Sequence, residues 1–530
     1  MSSHLNINQA CDWASKHLNK NVSKSNLSYL IQYGRIKNLG DNGTIIIDRD
    51  ELKEYYKWSN GNKEKSWKKK LGDDLNWDLS FDNLNEKDTT KHVHRLHPYK
   101  GKFIPQLVEY FLDNHIDDFK KEVFFKKGNT ILDPFCGSGT TLVQSNELGI
   151  HSIGIDVSAF NVQISNAKVG KYDLREIQKT AQYISKQLRS FLSTRKNIEF
   201  ERKLLAELKG FNDKNFPSPE FKYKVRRKDV NEKVYGAEKE TEFLPVYNNL
   251  IKEYGIELLQ RKSKNFLDKW FLQVVRDELD FVFEEIKKIK NIQTKRILSI
   301  VLSRTIRSCR ATTHSDLATL LNPQITTYYC KKHGKICKPL FSILSWWERY
   351  YKDTIKRLAQ FDDLRTDTWQ VCLTGDSRNI NIYSELRRKD EAFSKLVENK
   401  KIDGIFSSPP YVGLIDYHEQ HAYSYDLFGF ERKDELEIGP LYKGQGQEAR
   451  KSYVRGIADV LNNSKKYLKN DYDIFLVAND KYKLYSKIAE LAGMQIVNQY
   501  KRPVLNRVEK DRTAYAEIIF HLKEKQNGIN

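Results

Sequence analysis

Short apolar runs alternate with amphipathic segments in two separate parts of this chain. The first part begins near residue 130 with the apolar pair Ile131-Leu132, a helical pattern from Thr140, and a second apolar run at 153–155. The alternation resumes at Val371 after a long interruption. Further apolar runs occupy residues 402–406, 473–478, 495–500 and 516–522. Alternation of short strands with helices is typical of a parallel sheet, so the pattern predicts one doubly wound α/β domain in two pieces.

The interruption between the two pieces is predicted to be a helical insertion. Residues 171–369 are highly charged, and apolar positions recur at helical spacing in stretches such as 266–289 and 296–310. The simplest account is a Rossmann-like sheet that this insertion splits.

The first 60 residues carry the element order of a winged helix-turn-helix. Apolar periodicity over 10–18 and 27–33 predicts two helices. A turn at 41–43, a β-branched run at 44–47 and a helix from Asp50 follow. This order resembles excisionase-like reading heads, which place a short second helix in the major groove of DNA. The alternative is that these helices form a cap on the next domain.

A polar, lysine-rich stretch follows, with Lys68-Lys69-Lys70 and two tryptophans, Trp67 and Trp77, that would anchor a linker. The chain is therefore predicted to contain five segments. They are the winged helix-turn-helix candidate at 1–60, the linker at 61–90, the first part of the α/β domain at 91–170, the helical insertion at 171–369 and the second part at 370–530.

The charge of the chain favours nucleic acid as a partner. Lys and Arg outnumber Asp and Glu by 90 to 70, which gives a formal net charge of +20 and a pI near 9.3. Solubility alone is the alternative explanation. Six cysteines in 530 residues, without a charged and apolar leader, indicate a reducing cytoplasm. No apolar stretch is long enough to predict a membrane span.

The first motif that carries chemistry is DPFCGSGTT, which starts at Asp133 directly after the first predicted strand. Gly137 and Gly139 leave out side chains where the chain turns into the next helix, which lets the backbone approach a nucleoside ligand. Asp133 can accept hydrogen bonds from such a ligand. Asp156, 23 residues further on, ends the next strand, where an acidic residue reaches ribose hydroxyls. A phosphate-binding loop is excluded because Thr140 stands where its lysine would be.

A second motif, SSPPY at 407–411, follows the strand predicted at 402–406. Two successive prolines fix the backbone and leave the carbonyl groups of Ser408 and Pro409 free to accept hydrogen bonds from an amino group. Tyr411 offers a ring face on which a base flipped out of a duplex can stack. A proline-rich turn with a core tyrosine is the alternative, and the presence of DPFCGSGTT in the same chain argues against it.

Together these motifs resemble the cofactor and catalytic motifs of the amino-directed DNA methyltransferases of restriction-modification systems. Three further pieces match in order: HPYKGKF at 97–103, GIDVS at 154–158 and GDSR at 375–378. The resemblance covers about residues 92–169 and 371–523, and it implies a class I methyltransferase sheet with S-adenosylmethionine as cofactor. The S-P-P-Y form is more frequent among cytosine-N4 enzymes. The motif order departs from the one most common among them, so adenine-N6 stays open as the alternative.

The resemblance also implies roles for individual residues. The implied cofactor-binding residues are Lys102, Phe103, Asp133, Phe135, Gly137, Gly139, Thr140, Asp156, Asp376 and Ser377. The implied catalytic residues are Ser408, Pro409, Pro410 and Tyr411. In this chemistry the base amine attacks the methyl group directly, so no nucleophilic cysteine is needed and Cys136 is expected to be a packing residue.

Arginines of the predicted insertion are candidate DNA contacts. Arg304, Arg307 and Arg310 follow one another at a spacing of three, which places them near one helical face. A basic face suits contacts to phosphates or guanines. A solvated helix face is the alternative.

Cys330, His333 and Cys337 have the spacing of metal ligands. A structural zinc ion needs four ligands, and the nearest spare candidates are Cys309 or a distant histidine. We therefore expect no bound metal. Contacts to DNA by the tyrosines and lysines of this loop are the alternative use.

These features predict a site-specific DNA methyltransferase, cytoplasmic and associated with the nucleoid, that acts on double-stranded DNA. A restriction endonuclease acting on the same site is the expected partner. An RNA guanine-N2 methyltransferase is the nearest enzymatic alternative, because those enzymes share a similar glycine-rich loop and a related catalytic motif. The lack of a recognisable RNA-capture domain before the α/β domain disfavours it. A third alternative is a DNA-binding regulator that keeps the fold as a scaffold, and the intact SSPPY motif argues against that.

Overall fold

The structure is a computed structural model that describes residues 3–18, 21–41, 43–56, 62–259, 265–314, 322–505 and 514–525. The chain forms two compact units. The helical unit comprises Met1–Lys69, Lys186–Phe281 and Ser308–Ser345, and the sheet unit comprises Lys70–Ser185, Val282–Arg307 and Trp346–Asn530. Residues 171–369, predicted as one insertion, therefore contribute to both units.

The strands within the described residues are short in the helical unit and longer in the sheet unit. They are β1 His4–Asn6, β2 Ile46–Asp48, β3 Thr130–Asp133, β4 His151–Asp156, β5 Tyr328–Cys330, β6 Lys335–Cys337, β7 Gln370–Thr374, β8 Ile402–Ser407, β9 Leu468–Ala478, β10 Met494–Pro503 and β11 Ala516–Glu524.

The α-helices fall into three groups along the chain. Before β3 they are α1 Ile7–Leu18, α2 Lys24–Gln32, α3 Arg49–Tyr56, α4 Asn62–Leu71, α5 Glu86–Thr89 and α6 Pro105–Leu112. Between β3 and β7 they are α7 Thr140–Glu147, α8 Ala159–Val169, α9 Leu174–Ser193, α10 Asn197–Asn215, α11 Glu220–Arg227, α12 Glu232–Tyr254, α13 Phe266–Trp270, α14 Gln273–Lys287, α15 Ile292–Ser308 and α16 Leu344–Asp362. After β7 they are α17 Ile382–Lys389, α18 Glu391–Lys400, α19 Tyr417–Gln420, α20 Ala422–Phe428, α21 Gln447–Lys465 and α22 Tyr485–Leu491.

One seven-stranded sheet dominates the sheet unit, in the order β10-β11-β9-β8-β3-β4-β7. The strands from β9 to β7 pair in parallel, and β11 runs antiparallel to both of its neighbours. This is a Rossmann-like α/β sheet, so the predicted doubly wound fold class is confirmed for this part of the chain. All seven strands lie where the apolar runs predict them.

Both faces of the sheet are buried. Adjacent residues of one strand belong to different apolar clusters: Ile131 and Phe406 to one, Leu132 and Ile405 to the other. Helix α6 contributes to the first cluster, whereas α21 and α22 contribute to the second. A strand covered on both faces needs apolar residues at every position, which explains the uninterrupted apolar runs. No helix within the described residues is long and apolar enough to cross a membrane.

The strand order places four strand ends together. β3 lies between β8 and β4, and β7 follows β4, so the chain winds outwards from β3 in both directions. Ligands of open α/β sheets bind at the carboxyl ends of the strands where the winding changes direction. Asp133, Asp156, Thr374 and Ser407 end these four strands at that edge.

The strand after the predicted wing turn pairs with the start of the chain. β2 pairs with β1 in antiparallel register, with Leu5 opposite Ile47. Across the turn, Leu39 N donates to Ile46 O at 2.8 Å, and the side chain of Asn38 accepts from Ile46 N at 3.0 Å and donates to Thr44 O at 3.0 Å. An amide side chain thus makes two of the contacts expected of a second strand, and the winged helix-turn-helix stays a prediction.

The segment predicted as a linker is ordered over much of its length. α4 and α5 lie within it, and Trp67 and Leu79 are buried. Asn76 N donates to Lys501 O at 2.8 Å, and Lys501 Nζ lies 2.9 Å from Asp74 Oδ1. Residues 70–89 thus belong to the sheet unit, although their polar composition is typical of a linker.

Candidate functional site

A cavity of about 850 Å³ opens at the carboxyl edge of the sheet. Nine of the ten predicted cofactor residues line it: Lys102, Phe103, Asp133, Phe135, Gly137, Thr140, Asp156, Asp376 and Ser377. Ser408 and Pro410 of the SSPPY loop line it as well. Residues from five chain segments thus meet in one place, which we call the first cavity.

The turn after β3 is held by backbone and side-chain contacts. Gly137 has a φ of +50°, and a Cβ there would lie 2.9 Å from the hydroxyl oxygen of Tyr99. Its N–H donates to Asp156 Oδ2 at 2.9 Å, and its carbonyl accepts from Ser165 Oγ at 2.9 Å. Lys168, fully buried, donates to Ser138 O at 2.5 Å. The loop is therefore preorganised with its backbone facing the cavity.

Gly139 is the predicted cofactor residue that does not line the cavity. It precedes α7 with a φ of +74°, in the left-handed region. A Cβ there would lie 2.9 Å from both Cβ and Oγ of Ser165 on α8. The residue is thus needed for close packing of two helices behind the loop, and its effect on a ligand would be indirect.

Asp156 has room for one more hydrogen bond. Its carboxylate accepts from Gly137 N, from Ser158 N at 2.8 Å and from Asn161 Nδ2 at 3.2 Å. A carboxylate offers about four lone-pair directions, so one stays available to a ligand hydroxyl. Burial raises the pKa of Asp156 to about 6.

Asp133 connects the two motifs directly. Its Oδ1 accepts from Phe135 N at 3.2 Å and from Ser407 Oγ at 2.5 Å. Burial raises the pKa of Asp133 to about 6. This carboxylate therefore fixes the loop after β3 and the loop after β8 relative to each other. That role differs from the ligand contact expected for it, although Asp133 also lines the cavity.

The far wall of the first cavity comes from the segment after β7. Ser377 Oγ donates to Pro134 O at 2.7 Å. The carboxylate of Asp376 forms a bidentate ion pair with the guanidinium of Arg378. Asn463 of α21 donates to Ser377 O at 3.1 Å. These bonds keep the segment against the loop after β3.

The segment before α6 closes the opposite side. Lys102 Nζ donates to His94 O at 2.6 Å, and burial lowers the pKa of Lys102 to about 8. Phe103 packs edge-on against Phe406 of β8 with ring centroids 5.6 Å apart. The ammonium group and the ring thus form one end of the cavity.

Unsatisfied polar atoms indicate that the first cavity suits a polar ligand. Ser138 Oγ, Thr140 Oγ1 and Asn161 Oδ1 are buried in its lining and have no hydrogen-bond partner among the described residues. A buried polar atom without a partner costs about 1–3 kcal/mol, which a ligand with hydroxyl or amino groups would recover. Together with the free direction on Asp156, this fits a nucleoside bearing an amino-acid tail.

The SSPPY loop lies beside the first cavity with its carbonyl groups available. Ser408 Oγ donates to Val477 O of β9 at 3.1 Å, which fixes the start of the loop. Pro409 is buried and Pro410 is half-buried. Within the described residues no donor is bonded to the carbonyl oxygen of Ser408 or Pro409. Both oxygens can therefore accept hydrogen bonds from an incoming amine.

Tyr411 faces away from the first cavity into a second one. The second cavity is lined by Leu71, Tyr411, Val412, Leu414, Gln445, Asn479, Asp480, Lys481, Tyr482, Lys501, Ala514, Tyr515, Ala516 and Ile518. The hydroxyl of Tyr411 donates to Glu517 Oε1 at 2.7 Å, and Glu517 Oε2 lies 3.5 Å from the buried Arg502. These contacts hold the ring, so the SSPPY loop contributes to both cavities.

Several residues of the first cavity carry no role in the sequence prediction. Tyr99, Asn161, Tyr417 and Glu437 line it, and Lys168 supports it from behind. Tyr99 lies within the HPYKGKF piece, which could have indicated it. The other four follow no recognisable motif, because their positions depend on how helices pack behind the loops.

The three arginines predicted to contact DNA have different environments, and their role in DNA binding stays a prediction. Arg304 is buried, with its guanidinium 2.6 Å from Asp353 Oδ2 and over the ring of Tyr350, because most of α15 is enclosed. Arg310 is buried too and lies beyond the end of α15, so the three do not share a helical face. Arg307 is half-buried. Burial lowers the pKa of both His97 and His421, and the charge of Arg307 lowers the two pKa values further.

Cys136 packs as expected. It is buried with Leu142, Val162 and Cys372, and burial raises the pKa of its thiol well above the usual value. The sulfur lies so close to Gly154 that a Cβ there would be 2.4 Å away. Nothing in this environment activates the thiol as a nucleophile.

The chain is similar to known DNA methylases. Residues 13–167 match the family model of N6- and N4-directed DNA methylases. The chain is 45% identical over 524 residues to the type II methyltransferase M.MjaII of Methanocaldococcus jannaschii, which covers 98% of this chain and 97% of that protein. A shorter match, 35% identical over 96 residues, joins it to the type II methyltransferase M.BsoBI of Geobacillus stearothermophilus, covering 18% of this chain and 17% of that protein.

Among solved structures, the rRNA methyltransferase aviRa from Streptomyces viridochromogenes is similar at 9% identity, over 83% of this chain and 94% of that one. Its TM-score of 0.27 is too low to support an argument about fold or substrate.

Proposed function

Because the chain belongs to the amino-directed DNA methyltransferases of restriction-modification systems, we propose that it methylates N4 of cytosine at a specific site in double-stranded DNA. One observation supports transfer between two ligands, and the S-P-P-Y form of the loop favours cytosine as the base. Ser408 and Pro410 line the first cavity, whereas Tyr411, in the same short loop, lines the second. A transferase needs two ligands that meet at one point, and this loop supplies that point.

Enzymes of this family take the methyl group from S-adenosylmethionine, which presents a methyl carbon activated by a sulfonium. We assign this cofactor to the first cavity. Asp156 accepts a ribose hydroxyl in its free direction, and Asp376 and Ser377 flank the adenine. Lys102 and Phe103 lie at the methionine end. The unsatisfied atoms of Ser138 and Thr140 gain partners on binding.

The second cavity is assigned to the target base. Tyr411, Tyr482 and Tyr515 contribute three aromatic rings to its lining. Aromatic faces stabilise a base that has left the duplex stack, and the side chain of Asn479 can read a base edge. Glu517 holds Tyr411 through its hydroxyl, so the ring keeps its orientation when the base enters.

In the proposed reaction the protein positions the amine and accepts its hydrogen bonds. The carbonyl oxygens of Ser408 and Pro409 draw the amine into line with the first cavity and stabilise the positive charge that develops on nitrogen. The nitrogen lone pair would form the new N–C bond as the bond between the methyl carbon and the sulfonium sulfur breaks, with its electron pair staying on sulfur as a neutral thioether, and the methylated amine would then release one proton to water. No covalent enzyme intermediate is involved, which agrees with the buried state of Cys136.

Double-stranded DNA is proposed as the substrate on grounds of charge and of the N-terminal elements. The net charge of +20 favours a polyanion. α2 is capped by Ser23 and presents Lys24, Asn26 and Tyr29 to solvent, which suits a helix that enters the major groove. A cytoplasmic location at the nucleoid and a cognate endonuclease belong to the same proposal.

Identification of the methylated nucleoside tests the proposal. The purified chain is incubated with methyl-labelled S-adenosylmethionine and either plasmid DNA or total RNA, and the digested nucleosides are identified by mass. The expected product is N4-methylcytosine in DNA. N6-methyladenine in DNA would overturn the cytosine assignment, and label only in RNA would overturn the DNA substrate. Label in neither would favour a regulator that keeps the fold as a scaffold.

The control is Pro410→Ala, purified in parallel. This variant should lose the labelled product, which excludes a methyltransferase carried over from the expression host. Lys24→Ala with Tyr29→Ala addresses the N-terminal proposal separately. This double variant should bind DNA more weakly and keep its affinity for S-adenosylmethionine, and unchanged DNA affinity would contradict the assignment of α2.

A further inference from the structure

Four potential metal ligands converge in the helical unit. One ligand atom each from His314, Cys330, His333 and Cys337 lies within 4.8 Å of the other three. Their spacing in the sequence predicts three of these ligands, Cys330, His333 and Cys337. The fourth is His314, 16 positions before Cys330, and not Cys309, which is buried outside the cluster.

The separations match tetrahedral zinc coordination. Zn–S bonds of about 2.3 Å and Zn–N bonds of about 2.0–2.1 Å at tetrahedral angles place N and S about 3.6 Å apart. Cys330 Sγ lies 3.7 Å from His314 Nδ1 and 3.6 Å from His333 Nδ1. His333 Nδ1 lies 3.3 Å from Cys337 Sγ. These distances also suit thiol–imidazole hydrogen bonds, and they leave room for one ion shared by the four side chains.

The hairpin of β5 and β6 is built to bring three ligands together. His333 N and Gly334 N both donate to Cys330 O, and Gly334 adopts a φ of +63° in the turn. Cys337 lies opposite Tyr328 on the returning strand, and Lys335 is the partner of Cys330, so alternation places Cys330 and Cys337 on the same face of the hairpin. The backbone of this tight turn thus sets the spacing of the three ligands.

Neighbouring helices fix the hairpin from outside. Asn212 of α10 accepts from Ile336 N at 2.9 Å and donates to Ile336 O at 3.0 Å. Glu240 of α12 accepts from Tyr329 N at 2.9 Å. Outer contacts of this kind orient the ligands in protein metal sites.

We propose that His314, Cys330, His333 and Cys337 bind one structural zinc ion. Four protein ligands leave no open position for water, so the ion would have no part in catalysis. Two thiolates balance the charge of the ion. The hydroxyl of Tyr328, 2.7 Å from His314 Nδ1, gives up that hydrogen bond on coordination and still accepts from His314 N at 3.1 Å.

The consequence is a cross-link within the helical unit. The ion would connect residue 314 to the hairpin at 328–337. That hairpin is in turn hydrogen-bonded to Asn212 of α10 and to Glu240 of α12. Metal binding of this kind contributes directly to folding free energy. This inference does not rest on the proposed methyl transfer, because none of the four ligands lines either cavity.

Metal analysis of the full chain tests the proposal without any variant. The chain is purified without a histidine tag, and its zinc content is measured by mass spectrometry. About one zinc ion per chain is expected. Replacement by cobalt should give visible absorption bands of tetrahedral Co²⁺ with thiolate charge-transfer bands in the near ultraviolet. Metal-free protein that takes up neither ion would overturn the proposal, as would a Cys330–Cys337 disulfide found by intact mass.

Variants locate the site. Cys337→Ser and His314→Asn should lose most of the bound metal, whereas Cys11→Ser, which changes a cysteine outside the cluster, should retain it. Metal retained in Cys337→Ser would overturn the assignment. If Cys337→Ser fails to fold, the cobalt spectrum of the unmodified chain still decides the proposal, because thiolate bands require cysteine ligands.

Discussion

Replacement of Gly139 by alanine should destabilise the sheet unit more than an equivalent replacement elsewhere. The φ of Gly139 is +74°, and the added Cβ would lie 2.9 Å from Cβ and Oγ of Ser165 and 3.1 Å from its Cα. The matched control is Gly128→Ala. Gly128 has a φ of +82°, and its added Cβ would meet nothing within 4 Å. Both variants therefore carry the strain of a left-handed backbone, and only Gly139→Ala adds a steric overlap.

The two costs can be estimated separately. A left-handed conformation costs alanine about 1–2 kcal/mol, partly offset by about 0.4–1 kcal/mol from the reduced entropy of the unfolded chain. Gly128→Ala should therefore lose about 1 kcal/mol. Overpacking against Ser165 adds about 1–3 kcal/mol in Gly139→Ala. An extra 2 kcal/mol or so corresponds to about 3 °C in melting temperature, because the unfolding entropy is about 2.1 cal/mol/K per residue and the sheet unit has roughly 330 residues.

Differential scanning calorimetry of both variants measures this difference. The double variant Gly139→Ala with Ser165→Gly removes the two closest atoms, so it should be more stable than the sum of the single changes predicts. Equal melting temperatures for Gly139→Ala and Gly128→Ala would refute the close packing of α7 against α8. They would also remove the steric reason for a glycine at position 139.

Three further predictions concern charge and hydrogen bonding at the site. Because burial raises the pKa of Asp156 to about 6, affinity for S-adenosylmethionine should be highest above about pH 7 and fall as the pH drops through 6 and protonation removes the acceptor, measured by titration calorimetry. Arg304→Ala should lower stability by about 1–3 kcal/mol through loss of the ion pair with Asp353, which keeps Arg357 as a second partner, without a change in DNA affinity at a temperature where the variant is folded. Ser408→Ala should reduce methyl transfer about tenfold without abolishing it, because the hydroxyl fixes the loop to β9 and the backbone carbonyls stay in place.

Each of these has its own control. Asp156→Asn should show weak affinity at every pH, and an unchanged pH profile in that variant would contradict the titrating group. DNA affinity that falls with Arg304→Ala in folded protein would support its predicted role in DNA binding. Loss of cofactor binding in Ser408→Ala would place the defect in the first cavity and not in the loop.

The sequence predicted those parts of the site that follow strands directly. DPFCGSGTT, GIDVS, GDSR and SSPPY each begin at or next to the end of a strand, and parallel strands bring those ends to one edge. Knowledge of the motifs was therefore enough to place nine of ten cofactor residues around one cavity. Gly139 is the exception. Membership in a motif does not distinguish a residue that contacts the ligand from one that allows two helices to pack closely.

Features that depend on distant packing were not predictable. The periodicity of α15 gives the spacing of Arg304 and Arg307, but not that most of the helix is enclosed. The β-branched run at 44–47 predicts a strand, but not that β1 at the start of the chain is its partner. His314 lies beside cysteines of the β5–β6 hairpin, and Lys168 of α8 donates to the carbonyl of Ser138 in the loop after β3. Local patterns carry no information about such partners.

The most direct test of the two-cavity arrangement is a paired measurement on Tyr411→Ala. Its dissociation constant for S-adenosylmethionine and its single-turnover rate of methyl transfer to DNA are compared with those of the unmodified chain. We expect cofactor affinity within about twofold and a rate reduced at least about 100-fold, because the ring lies in the second cavity alone. Parallel loss of cofactor affinity, or a normal rate, would contradict the separation of the two cavities by this loop.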